Sequence, residues 1–173
     1  MSHPLLGDPA SMSALAATLR HTALQLRADG ERLELALEDA SPGWSGPTAV
    51  ISRRRATALV AGTDTIARAL DDCGSSLQLA VTGLADSIAR LRALEEEAAA
   101  AGLAVRDGTV ERSWGITGVA DPGAEVDDDR LIAGLQERVH QTVTALGRHR
   151  TRLTADCERA SRLLAETGTA LRG

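Results

Sequence analysis

The side chains able to do chemistry are few and widely spaced. Four histidines (His3, His21, His140, His149) and two cysteines (Cys73, Cys157) are scattered along 173 residues. None falls in a spacing that assembles a site. The chain has no H-E-x-x-H to hold zinc on one helix face, no C-x-x-C, no glycine-rich phosphate loop and no G-x-S-x-G turn. We therefore expect no catalytic residue, no cofactor and no metal, and read the chain as a non-enzyme. His149 sits on an apolar helical stripe and reads as a tolerated core or boundary histidine. Glu95-Glu96-Glu97 occupies consecutive helical positions that fan around the axis, a solvated face. Asp127 to Asp129 reads as an acidic helix start that complements the dipole. Arg53 to Arg55 cannot share one helix face and reads as a solvated run.

Composition narrows the architecture. Hydrophobic residues make up 43% and charged residues 25%, the balance of an ordinary globular chain long enough for one domain. The net charge of −5 argues against a nucleic-acid partner. All basic residues are Arg, and Phe and Tyr are absent. A core without them is filled by Leu, Ile, Val and Ala, which suits closely packed helices better than sheets. No apolar run approaches the ~20 residues that span a bilayer, so no membrane span is expected. "MSHPLLGDPASMSAL" lacks the features of a general secretory signal.

The elements follow from periodicity and punctuation. Asp8-Pro9 opens a helix over 9–40, with a stripe of Met12, Leu15, Leu19, Thr22, Leu26, Asp29, Leu33, Ala36 and Ala40. Pro42 and Gly43 stop it. Pro47 opens a second helix over about 47–101, carrying Leu59, Thr63, Ile66, Leu70, Cys73, Leu77, Ala80, Leu84, Ile88, Leu91 and Leu94. "DDCGSS" at 71–76 is its kink, or the start of a separate helix at Ser75. "LAVRDGTVERSW" places two β-favouring runs around Asp107-Gly108, a hairpin. A third helix over about 127–171 carries Leu131, Leu135, Val139, Thr142, Leu146, His149, Leu153, Cys157, Ala160, Leu164, Thr167 and Leu171. The fold class predicted is all-α, an antiparallel long-helix bundle of three main helices with a small β-hairpin insertion. It is read as a single domain over 1–173, with segments 8–101, 102–126 and 127–171.

At ~1.5 Å rise per residue the helices can be laid side by side. Pivoting at Trp44 sets Met12 beside about residue 76, leaving Leu77, Leu84, Ile88 and Leu91 faced by helix three alone. The hairpin with Trp114 covers that stripe, or a partner does. Trp114 itself either pins the hairpin or stands out as an aromatic anchor for a partner. If 101 opposes 127, counting equal distances along the two helices brings Cys73 level with residue 155, two short of Cys157. The cysteines are then within ~3 Å of one level. The alternatives are a Cys73–Cys157 disulfide or two small core thiols.

The remaining signal is "SPGWSGPTA" at 41–49, one of two tryptophans set between two helices. Gly46 supplies backbone freedom and Trp44 plugs the open end of the helical hairpin, its ring mostly buried. The stretch that opens at Asp8 and runs through "LEDASPGWSGPTAV", with "LQLAVTGLADSIARLRALEEEA" beyond it, resembles the WXG family over residues 8–101. That family comprises small helical hairpins exported by type VII secretion systems of actinobacteria and related Gram-positives. Typical members end after the second helix, and their export signal contains a Tyr that this chain lacks. The resemblance implies a non-enzymatic, secretion-associated protein, secreted through the type VII system or cytoplasmic before export. It would act by helical association with a protein partner (a small helical protein or a secreted toxin) or as a homodimer. Export would then rest on a partner that carries the signal. The alternative is a cytoplasmic chaperone or adaptor for a type VII toxin.

Overall fold

The computed structural model describes residues 8–113 and 122–172. Trp114 and His3, singled out above, lie outside the described residues. The chain is all-α: α1 (Pro9–Ala40), a 3₁₀ turn (Ser41–Gly43), α2 (Pro47–Ala100), β1 (Leu103–Arg106), β2 (Thr109–Arg112) and α3 (Pro122–Arg172). Prolines stand at the first position of all three helices, where a missing N–H costs nothing. Helix α2 is unbroken through 71–76, so neither the expected kink nor a separate helix at Ser75 occurs. Helix α3 begins at Pro122 rather than Asp127. The acidic run therefore lies inside the helix instead of at its start, and Asp129 pairs with Arg112 of β2 at 3.3 Å. "DPG" reads locally as a loop, and only packing beyond it shows that Pro122 is a helix start.

The contacts divide the chain into two compact units, one built on Ala10–Val81 with Arg152–Gly173, the other on Thr82–Thr151. In the first, α1 and α2 run antiparallel and touch through small residues. Ala16, Ala23 and Gly30, seven apart, are the buried positions of α1, and Ala49, Ala67 and Gly74 are buried on α2. A Cβ at Gly74 would lie 3.0 Å from the Ala16 carbonyl oxygen and 2.7 Å from Arg20 Cγ, so this glycine is a point of close approach, not a break. The level of the two helices is marked by Ser13 Oγ, which donates to Gln78 Oε1 at 3.4 Å, and by Asp71, which meets Arg20 at 3.5 Å and Arg27 at 3.2 Å. Met12 thus falls where the rise per residue puts it. The stripe on α1 is otherwise shifted by one position: Leu15 is 51% exposed and Asp29, Ala36 and Ala40 are exposed, while Ala16 and Ala23 are inside. Helices that meet through Ala and Gly exclude leucine from the line of contact.

In the second unit the hairpin forms a lid on α2 and α3. Its turn has Asp107 at φ 51° and Gly108 at φ 82°, the two positive angles of a type I′ turn. Pairing of Val105 with Val110 and Leu103 with Arg112 puts Leu103, Val105 and Val110 on one face. That face packs on Leu94, Ala98, Leu135 and Val139, with Leu91 and Ile132 at the margin. The outer edge of the hairpin is held by one amide: Val110 N–H donates to Gln136 Oε1 at 2.8 Å, and Gln136 Nε2 donates to the Gly108 carbonyl at 2.9 Å. Arg138 reaches across to Glu97 at 2.6 Å.

Two substitutions test these supports. Gln136→Leu leaves the Val110 N–H and the Gly108 carbonyl without their partner and should destabilise the unit by about 1–3 kcal/mol, with faster amide exchange at Val110. Gly74→Val drives two methyl groups against the α1 backbone and should cost about 1–3 kcal/mol. By contrast Gly147→Ala, where nothing lies within 4 Å of the added carbon, should gain up to about 1 kcal/mol from helix propensity. Chemical denaturation of the three variants measures the ordering.

Candidate interaction surface

The elbow is built from its backbone outward. Helix α1 closes in the 3₁₀ turn, and Gly46 turns the chain with φ 101°, an angle open to glycine and strained for other residues. Its carbonyl accepts from Val50 N–H at 3.2 Å, opening α2 with Pro47 at the first helical position. Trp44 is 37% exposed. The expected mostly buried ring belongs to a residue with more than a third of its surface in solvent.

On α3, Leu171 lies against Gly62, where an added Cβ would come within 2.7 Å of Leu171 Cδ2. Pro47–Ala61 is the part of α2 on the elbow side of that contact. On α2, Cys73 and Gly62 meet α3, and steps of three and four from Gly62 lead on to Leu59, Arg55 and Ile51. Leu59 is 44% exposed and Ile51 55%. Next to this line Val50, Arg53, Arg54, Thr57, Ala58 and Ala61 border a shallow open groove of about 540 Å³. The segment Pro47–Ala61 carries three arginines and no acidic residue.

The partner stripe read from the sequence is placed differently. Leu77 and Leu84 are 5% and 6% exposed, and Ile88 and Leu91 are half-buried, with Leu91 against the hairpin core. The chain itself covers much of this stripe, and at Leu91 the hairpin is the covering layer. What sequence reasoning missed is the open line at Ile51 and Leu59. Leu59 reads as core because its periodicity is that of the buried stripe; periodicity does not say which positions along a stripe stay exposed.

The remaining reactive groups are dispersed. His21 stands on the outer face of α1 beside Leu24 and Gln25, and His140 and His149 are exposed, His149 resting over Gly83. Among the described residues no group of three or more His, Cys, Asp and Glu is placed to hold a metal ion. Nor is any helix among them long and apolar enough to cross a membrane. The two cysteines do meet: Cys73 Sγ and Cys157 Sγ are 3.8 Å apart, both as thiols and both half-buried. Burial pushes the Cys73 thiol up to about 11, with the facing Cys157 and the nearby Asp156 charge adding to it. No family model, curated protein or solved structure matches the chain.

The cysteine pair gives a pH prediction. A thiol raised in the folded state favours folding while it is neutral, so its contribution is whole below the unfolded value near 9 and is lost as pH rises toward about 11. The chain has neither Lys nor Tyr to titrate in that window. Thermal unfolding of the reduced protein should therefore show a fall in Tm between about pH 9 and 11 that Cys73→Ala flattens.

Proposed function

We propose that the chain is a non-enzymatic, WXG-like secretion-associated protein that works by seating a partner helix on the elbow end of α2. The observation that carries this reading is the exposed apolar line at Leu59 and Ile51, which continues the face of α2 that meets Leu171 at Gly62. A partner helix that takes this face covers Leu59 and Ile51. Arg55 lies on the line and Arg54 beside it, so the fitting helix is amphipathic with acidic residues next to its apolar stripe. The Trp44-Ser45-Gly46 turn joining two antiparallel helices supports placing the chain with the WXG hairpins, and a partner bearing the export signal would supply the tyrosine motif that this chain lacks.

Export from the native host tests the reading. A tagged chain should appear in the culture filtrate when the type VII ATPase is intact and be absent when it is deleted. Ile51→Glu with Leu59→Glu, both at solvent-exposed positions, should cut the exported fraction at least about tenfold with helix content unchanged by circular dichroism. Equal export without the ATPase overturns the secretion reading, as does retention of the wild-type chain in the cell, which favours the chaperone or adaptor role. Undiminished export of the double variant removes the elbow as the docking face.

A further inference from the structure

The lower part of α3 is thinly packed. From Arg152 to Arg172 no residue is buried; Leu153, Cys157, Ala160, Leu164 and Leu171 are only half-covered. Within this stretch the one pairing of reactive groups across helices is Cys157 with Cys73 of α2, sulfur to sulfur 3.8 Å. The chain has no other cysteine to compete for either. To reach bonding distance the sulfurs need approach by less than about 2 Å, and the neighbouring Gly74 and Ala160 are small. Both thiols keep enough exposure for a small reagent to reach them.

We propose that Cys73 and Cys157 are a dithiol that closes into an intramolecular disulfide and clasps the lower part of α3 to α2. The oxidant is a low-molecular-weight disulfide, RSSR. One cysteine, as its thiolate, attacks RSSR; the S–S bond breaks, a mixed disulfide forms and one RS⁻ leaves. The second cysteine sulfur then attacks the protein sulfur of the mixed disulfide, forming Cys73–Cys157 and expelling the second RS⁻. Two electrons pass from the cysteine pair to RSSR, and the two cysteine protons end on two RSH. The clasp closes a loop spanning 84 positions, so it removes much freedom from the unfolded chain while adding a bond where packing is thin. It stands independently of the elbow as a docking face.

The test uses the full chain and oxidised glutathione as RSSR. After reaction without air, the denatured protein should show no free thiol, a mass lower by two hydrogen atoms, and a Cys73 peptide joined to the Cys157 peptide in a monomer. Tm should rise by roughly 10 °C over the reduced form. Trypsin should cut after the exposed Arg159 and Arg162 at least about tenfold more slowly. Cys157→Ser should stop at a glutathione adduct or not react, with neither gain. Persistent glutathione adducts on the wild-type chain, disulfide-linked dimers, or two surviving thiols overturn the clasp. So does the same rise in Tm when the oxidant is given to the Cys73→Ser/Cys157→Ser variant.

Discussion

Everything in the α1–α2 pair depends on how closely two helices approach when the core contains no Phe or Tyr. Filling the space between helices at ordinary separation takes large side chains. Here the contact is made by Ala16, Ala23 and Gly30 against Ala67 and Gly74, so the backbones themselves come together, with the Ala16 carbonyl oxygen only 3.0 Å, closer than van der Waals contact, from where a Gly74 side chain would begin. A consequence follows for the leucines. They cannot enter the line of contact and are displaced to its flanks or beyond, which is why Leu15, Leu24 and Leu79 are more than half exposed.

Which parts are legible in the sequence follows from the same physics. Helix ends are readable because Pro and Gly act through local backbone geometry: Pro9, Pro47 and Gly46 do in the structure what they do in any chain. Asp107-Gly108 is readable because only a few residue pairs accept two positive φ angles. The contact face of α1 is less so. A three-four alternation fits two stripes one residue apart, and ranking by hydrophobicity selects Leu15 over Ala16. The choice depends on the size of the residues on the facing helix, which is tertiary information. Pro122 is hidden for the opposite reason: "ADPGAEV" has strong turn residues, and the packing of the helix that follows overrides them.

The candidate surface divides in the same way. Register along antiparallel helices needs only the rise per residue and one pivot, so Cys73 and Cys157 can be brought level from numbering alone. Deciding which stretch of a stripe lacks a partner needs the ends of every facing element. The hairpin is legible through Asp107-Gly108, but that it rather than a partner is the cover is not; Leu103 and Val110 are what close over Leu94 and Ala98. The exposed positions Leu59 and Ile51 lie in the other unit.

A small-residue interface has one weakness: Ala and Gly discriminate poorly between neighbouring registers, since a slip of one heptad presents another small residue. Polar contacts supply the discrimination. Asp71 is held between Arg20 and Arg27, seven apart on α1, so a slip that keeps one small-on-small contact breaks at least one of these pairs. Each pair is partly exposed and contributes little to stability; its effect is on which alignment wins. For α3 the alignment is marked by Leu171 over Gly62 and by the cysteines. A heptad slip there would move the sulfurs about 10 Å apart along the axis and make the bond unreachable. The same alignment that sets Leu171 on Gly62 therefore also brings the thiols together.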